Sequence, residues 1–84
     1  MKMKVQVLFF GATAEAVGER EIEFSLAENT NVSEARAEIL EAFPNLKKFF
    51  GKSLLFAVNQ EYAKGDEIIN NGDELAVFTP VSGG

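Results

Sequence analysis

The sequence has no cysteine, no histidine and no tryptophan, and only two prolines among 84 residues. Without cysteine there is no disulfide, no thiolate nucleophile and no cysteine-ligated metal. Without histidine the chain lacks the usual general base near neutral pH and the commonest metal ligand. Positive charge is also scarce. Eight Lys and Arg stand against thirteen Asp and Glu, a net charge of −5, which repels a phosphate backbone, argues against nucleic-acid binding and favours a basic partner surface. No apolar run is long enough to span a bilayer, and the opening Met1-Lys-Met-Lys4 leads straight into a strand-like pattern instead of a cleaved signal. A soluble cytoplasmic protein with no membrane role is expected.

What is present suffices for one small domain, since 46% of the residues are hydrophobic and eight are Phe, enough for a single compact core. Val5, Val7 and Phe9 alternate with Lys4, Gln6, Leu8 and Phe10, the period of a strand with one face inward. Ala12 to Val17 reads as a short helical turn, and Ile22, Phe24 and Leu26 form the inner face of a second strand that pairs with the first as an antiparallel hairpin. The period then changes. Asn31 with Glu34 three residues later makes a capping box, and Val32, Ala35, Ile39, Ala42 and Phe43 fall on one side of a helix that Pro44 closes. After a connecting stretch from Asn45 to Lys52, Ser53 to Val58 reads as an inner strand, Asn59-Gln-Glu61 as a turn and Tyr62-Ala-Lys64 as a short strand or crossing segment. Asn71-Gly-Asp73 is a tight turn into a last strand, Glu74 to Thr79, with Leu75 and Val77 on one face and Glu74, Ala76 and Phe78 on the other.

This order predicts an α+β fold of the β-grasp, ubiquitin-like kind: a mixed sheet covered on one face by one main helix, its first and last strands parallel and central. The domain is expected to occupy residues 1–80, followed by a flexible Gly-Gly tail over residues 81–84. Glycine has no side chain, so a backbone ending in Gly83-Gly84 can enter a channel too narrow for any other residue. That suits a terminal carboxylate meant for another protein's active site. A frayed end is the alternative reading of the same two residues.

The opening Lys4-Val-Gln-Val-Leu-Phe-Phe10, the Val58-Asn-Gln60 turn and the closing Asn71-Gly-Asp-Glu-Leu-Ala-Val-Phe-Thr-Pro-Val-Ser-Gly-Gly84 resemble the MoaD family, the small sulfur-carrier subunits of molybdopterin synthase. The resemblance covers essentially the whole chain. It departs at Thr79, where the family often has a second proline. It implies that the Gly84 carboxylate is adenylated with ATP by a ubiquitin-activating-type adenylyltransferase (MoeB-like) and converted to a thiocarboxylate with sulfur from a sulfurtransferase. Val81, Ser82 and Gly83 would then thread the active site of the large subunit (MoaE-like), where sulfur passes to a cyclic pyranopterin precursor to form molybdopterin. The only cofactor-like group implied is that C-terminal thiocarboxylate, reached through a transient acyl-adenylate, with nothing bound permanently. Such a carrier needs no catalytic residue of its own, in keeping with a chain that lacks both His and Cys.

Other polar residues suggest little chemistry. Ser82 has no histidine to activate it and serves better as spacer. Asp66-Glu67 and Asp73-Glu74 lack further oxygen ligands at loop spacing, so no metal site is expected, and Lys47-Lys48 reads as a solvated pair. The outward aromatics are more informative. Phe10 and Phe78 should point away from the helix on adjacent central strands, with Tyr62 near them, and large aromatics on an open sheet face anchor protein contacts; the bland alternative tucks Phe10 under a loop. These three are the expected partner interface. Alternative functions for the same fold are a sulfur carrier for thiamine thiazole synthesis, a ubiquitin-like covalent protein modifier joined to lysine through Gly84, and an interaction module whose glycines are incidental.

Overall fold

The computed structural model describes residues 2–49 and 54–79. Strand β1 (Lys2–Phe9) is followed by the short helix α1 (Ala12–Val17), strand β2 (Glu21–Ala27) and the main helix α2 (Val32–Ala42). A 3-10 segment (Pro44–Phe49) leads toward β3 (Leu55–Val58), β4 (Glu61–Tyr62) and β5 (Glu74–Phe78). The five strands form one sheet in the order β2-β1-β5-β3-β4. β1 pairs antiparallel with β2 and parallel with β5, with Gln6 opposite Glu74 and Phe9 opposite Val77. The mixed sheet with its central parallel pair is therefore the one expected from the sequence.

Alternation sets the layers. Met3, Val5, Val7 and Phe9 of β1, with Leu75 and Val77 of β5, are buried in one core with Val32, Ala35, Ile39 and Leu40 of α2, and Ile22 and Phe24 of β2 pack against its edge. Phe9 meets Phe43 edge to face, ring centroids 5.6 Å apart. α2 starts as its capping box predicts: the Asn31 side chain accepts the Glu34 amide at 2.8 Å, and the Glu34 carboxylate accepts the Asn31 amide at 3.0 Å.

Two details differ from the sequence reading. Ala42, expected on the apolar stripe, is exposed, while Leu40 is buried. The 3-10 segment folds against the end of α2 and buries Leu46 completely, so the covered stripe widens toward Leu40 and leaves the small Ala42 at the rim. The stretch read as a plain connection thus contributes to the core. The segment read as a short strand or crossing segment, Tyr62 to Lys64, enters a strand only at Tyr62, in β4, and the chain then passes the start of α2. Val32 and Ser33 amides donate to the carbonyls of Glu67 and Gly65, and the Ile69 amide to that of Thr30. Gly65 sits at φ 125°, a conformation that side chains rarely adopt, so this position favours glycine; a Cβ there would also displace the Ser33 hydroxyl.

Candidate functional site

β5 lies between β1 and β3, so the chain past Thr79 leaves from the middle of the sheet. Val81, Ser82, Gly83 and Gly84 lie outside the described residues, as does Pro80. The geometry available is that of the exit and the surface around it.

The sheet face turned away from α2 carries Leu8, Leu55, Ala57, Ala76 and Phe78, placed by the same alternation that buries their neighbours, and by pairing of Leu55 with Phe78 and of Ala57 with both Ala76 and Tyr62. Tyr62 is 75% and Phe10 51% exposed, whereas Phe78 is half-buried. The Tyr62 and Phe78 rings lie 5.8 Å apart at 52°, a tilted pair that shields Phe78 and leaves Tyr62 outermost. Phe10 stands one residue past β1, next in the register that sets Phe9 opposite Val77. Of the three aromatics expected at an interface, Tyr62 and Phe78 meet on this face, and Phe10 stands exposed where β1 ends, beside Gly11 and Ala14. Acidic residues flank them: Glu21 pairs with Leu8, and Glu23 and Glu74 with Gln6. Lys4 approaches Glu23 at 3.7 Å, but both side chains are well exposed, so this pair contributes little.

The turn before β4 is tied to the start of β5. Asn59 and Gln60 take φ of 49° and 72°, the two left-handed residues of a tight hairpin. The Asn59 side chain accepts the Glu74 amide at 3.0 Å and donates to Asp73 Oδ1 at 3.2 Å. At the other end of β5, the sequence reading missed Thr13. It is fully buried, donates to the Val77 carbonyl at 2.7 Å and accepts the Phe10 amide at 3.0 Å. A threonine two residues after a strand-ending glycine is the available signal, since hydroxyls there commonly bond nearby backbone.

An open groove beside Phe10, Gly11 and Ala14 is lined by Glu15, Glu19 and Glu21 with Arg20 and presents no hydroxyl or amine nucleophile. Among the described residues no three acidic groups gather as metal ligands, and no helix is long and apolar enough to cross a membrane. Glu67 accepts the Lys64 and Gly65 amides at 2.7 and 2.8 Å, first of the causes that hold its carboxyl below the ordinary value of 4.5. It braces the loop under α2 and has no part at the exit.

Comparison with known proteins agrees with this picture. Residues 7–84 match the ThiS family. The chain is 42% identical to the molybdopterin synthase sulfur carrier subunit of Caenorhabditis elegans, over 98% of this chain and 99% of the relative. In structure it is similar to SAMP1 from Haloferax volcanii, with a TM-score of 0.85 and 31% identity over 96% of this chain and 99% of that one. It is also similar to a chain in the complex of subunits 1 and 2 of the molybdopterin-converting factor from Helicobacter pylori 26695, with a TM-score of 0.67 and 30% identity over 98% of this chain and all of that one. The fold, the Gly-Gly sequence and these end-to-end similarities agree: the chain belongs to the ThiS family and, within it, groups with the molybdopterin synthase sulfur carrier subunits.

Proposed function

We propose that this protein carries sulfur for molybdenum cofactor biosynthesis on the carboxylate of Gly84. The observation that carries the reading is the 42% identity, over nearly the full length of both chains, to a molybdopterin synthase sulfur carrier subunit. The placement of β5 at the centre of the sheet supports it, because a central strand gives the departing segment a rigid base.

The chemistry follows from what a carboxylate can do. A Gly84 carboxylate oxygen attacks the α-phosphorus of ATP on an adenylyltransferase, pyrophosphate leaves, and the acyl carbon now bears AMP as a good leaving group. A hydrosulfide equivalent from a sulfurtransferase adds to that carbon, and AMP departs with the C–O electron pair, leaving a thiocarboxylate. In the large subunit the thiocarboxylate sulfur attacks an electrophilic carbon of the pterin precursor and a C–O bond at that carbon breaks, its oxygen leaving with the electron pair; water then cleaves the acyl C–S bond, so that the sulfur stays on the precursor and the carboxylate is restored. The partners supply every acid, base and nucleotide contact, and the carrier supplies an acyl terminus thin enough to reach them. The aromatic face of Phe10, Tyr62 and Phe78 is the docking surface in this reading, with Glu21, Glu23 and Glu74 beside it to meet basic residues.

Supplying the adenylyltransferase, ATP and a sulfur donor should replace one oxygen by sulfur in the intact mass. Gly83→Val or deletion of Gly84 should abolish that exchange with an unchanged melt, since a Cβ cannot follow glycine through a tight channel. Loading of the truncated chain would rule Gly84 out as the sulfur-bearing residue. The similarity to SAMP1, the small archaeal modifier protein 1, favours covalent protein modification as a second reading. It predicts lysine conjugates ending in Gly84 from the same activated terminus, detectable as Gly-Gly remnants after digestion.

A further inference from the structure

The largest fully buried side chains among the described residues are apolar except for Thr13, at 0% exposure. Its hydroxyl is surrounded by backbone. It donates toward the carbonyls of Val77 at 2.7 Å and Phe10 at 2.8 Å, and accepts the Phe10 amide at 3.0 Å. The Val77 carbonyl also accepts the Phe10 amide at 3.2 Å, the last rung of the β1–β5 ladder.

The register states what the next rung would be. In a parallel pair every second residue turns both its amide and its carbonyl to the neighbouring strand, and in β5 this series runs through Asp73, Leu75 and Val77. Thr79 is next, and its amide would reach the Phe10 carbonyl if the ladder ran on. That carbonyl instead receives the Thr13 amide at 3.2 Å and the Thr13 hydroxyl. At the same point Gly11, at φ 57° and ψ −124°, turns β1 away into α1.

We propose that Thr13 is a positioning residue that ends the β1–β5 ladder at Val77 and so sets where the chain departs from β1. It touches no reacting atom, and the inference rests on the sulfur-carrier reading of Gly84. The lengths involved matter. One further rung would move the point of departure by two residues, about 7 Å along the strand, whereas a misplacement of about 1 Å already costs an active site on the order of 100-fold. A hydroxyl buried against two carbonyls thus keeps the point of departure constant.

The test combines exchange and loading. In the unaltered protein the Val77 amide should resist hydrogen exchange and the Thr79 amide should exchange freely; equal protection at the two would overturn the assignment without any variant. Thr13→Val keeps the shape and the backbone bond from residue 13 to the Phe10 carbonyl but removes the hydroxyl that fastens α1 to the Val77 carbonyl, so the difference in protection between Val77 and Thr79 should shrink and kcat/KM for loading should fall by roughly tenfold or more. Thr13→Ser should retain both the exchange pattern and the loading rate. A valine variant that loads normally, or a serine variant that falls as far as valine with its fold intact, would refute the proposal. If the valine variant fails to fold, the unaltered exchange pattern and the serine variant still decide it. Failure of the unaltered protein to load would remove the sulfur-carrier reading, while the exchange pattern would separately report whether Thr13 ends the ladder.

Discussion

The two faces of the sheet are built from the same strands, and often from adjacent residues, yet they differ sharply in burial. Toward α2, Val5, Val7, Phe9, Leu75 and Val77 are essentially removed from water. On the opposite face Leu8, Ala76 and Phe78 remain half-buried, and Phe10 and Tyr62 stand out. An 84-residue chain has little room for separate structural and functional regions. Alternation lets one strand serve both, with odd positions of β1 and β5 holding the fold and even positions available to a partner.

Breaking the inner face should have the largest effect. Ile39 is fully buried in the core, so Ile39→Ala should lower unfolding free energy by about 2 to 5 kcal/mol, far more than any change at the exposed Glu38. A urea titration measures this. On the outer face, Phe78→Ala should weaken association with the large synthase subunit by on the order of 2 kcal/mol, with the melt nearly unchanged. Loss of folding in that variant would move Phe78 to the inner class and erase the division proposed between the faces.

The smallest effect sharpens the contrast from outside the sheet. Two amide donors hold the Glu67 carboxyl below 4.5, so what it adds to stability is complete above that value and fades as pH falls through the lower folded value. Thermal melts between about pH 6 and pH 3 should therefore show a slight acid loss that Glu67→Gln removes, with partner binding at neutral pH unchanged.

Strand faces were legible because period two is a strong signal: Val5, Val7 and Phe9, and Leu75 and Val77, could be assigned inward from spacing alone. The capping box located the start of α2 for a similar reason, since Asn31 and Glu34 satisfy each other locally. Leu46 was not legible as core, because it lies in a 3-10 segment with no period of its own. Ile69, also fully buried, lies in an irregular loop whose place is set by bonds to α2 and the chain before it. Thr13 was hidden because its chief partner, the Val77 carbonyl, is brought to it by the fold and not by sequence proximity. On the outer face, the outward direction of Phe78 could be read from alternation and Tyr62 only from its place after a turn, whereas the arrangement at the exit of β5 required the parallel pairing to be seen.

That pairing also orders events during synthesis. The strand that completes the middle of the sheet is the last one made: the Thr13 to Val77 bond spans 64 residues and the Lys4 to Asn71 bond spans 67. Contacts this distant close late and slow folding. β1 and β2 can form a hairpin and α2 can coil as they emerge, but Val7 and Phe9 have no neighbour on their other side until β5 has left the ribosome. A nascent chain cut short before Glu74 would expose the open edge of β1 and invite degradation or aggregation. Cellular quality control acting on unfolded chains would thereby remove prematurely terminated carriers before they could occupy a partner without a terminus to deliver.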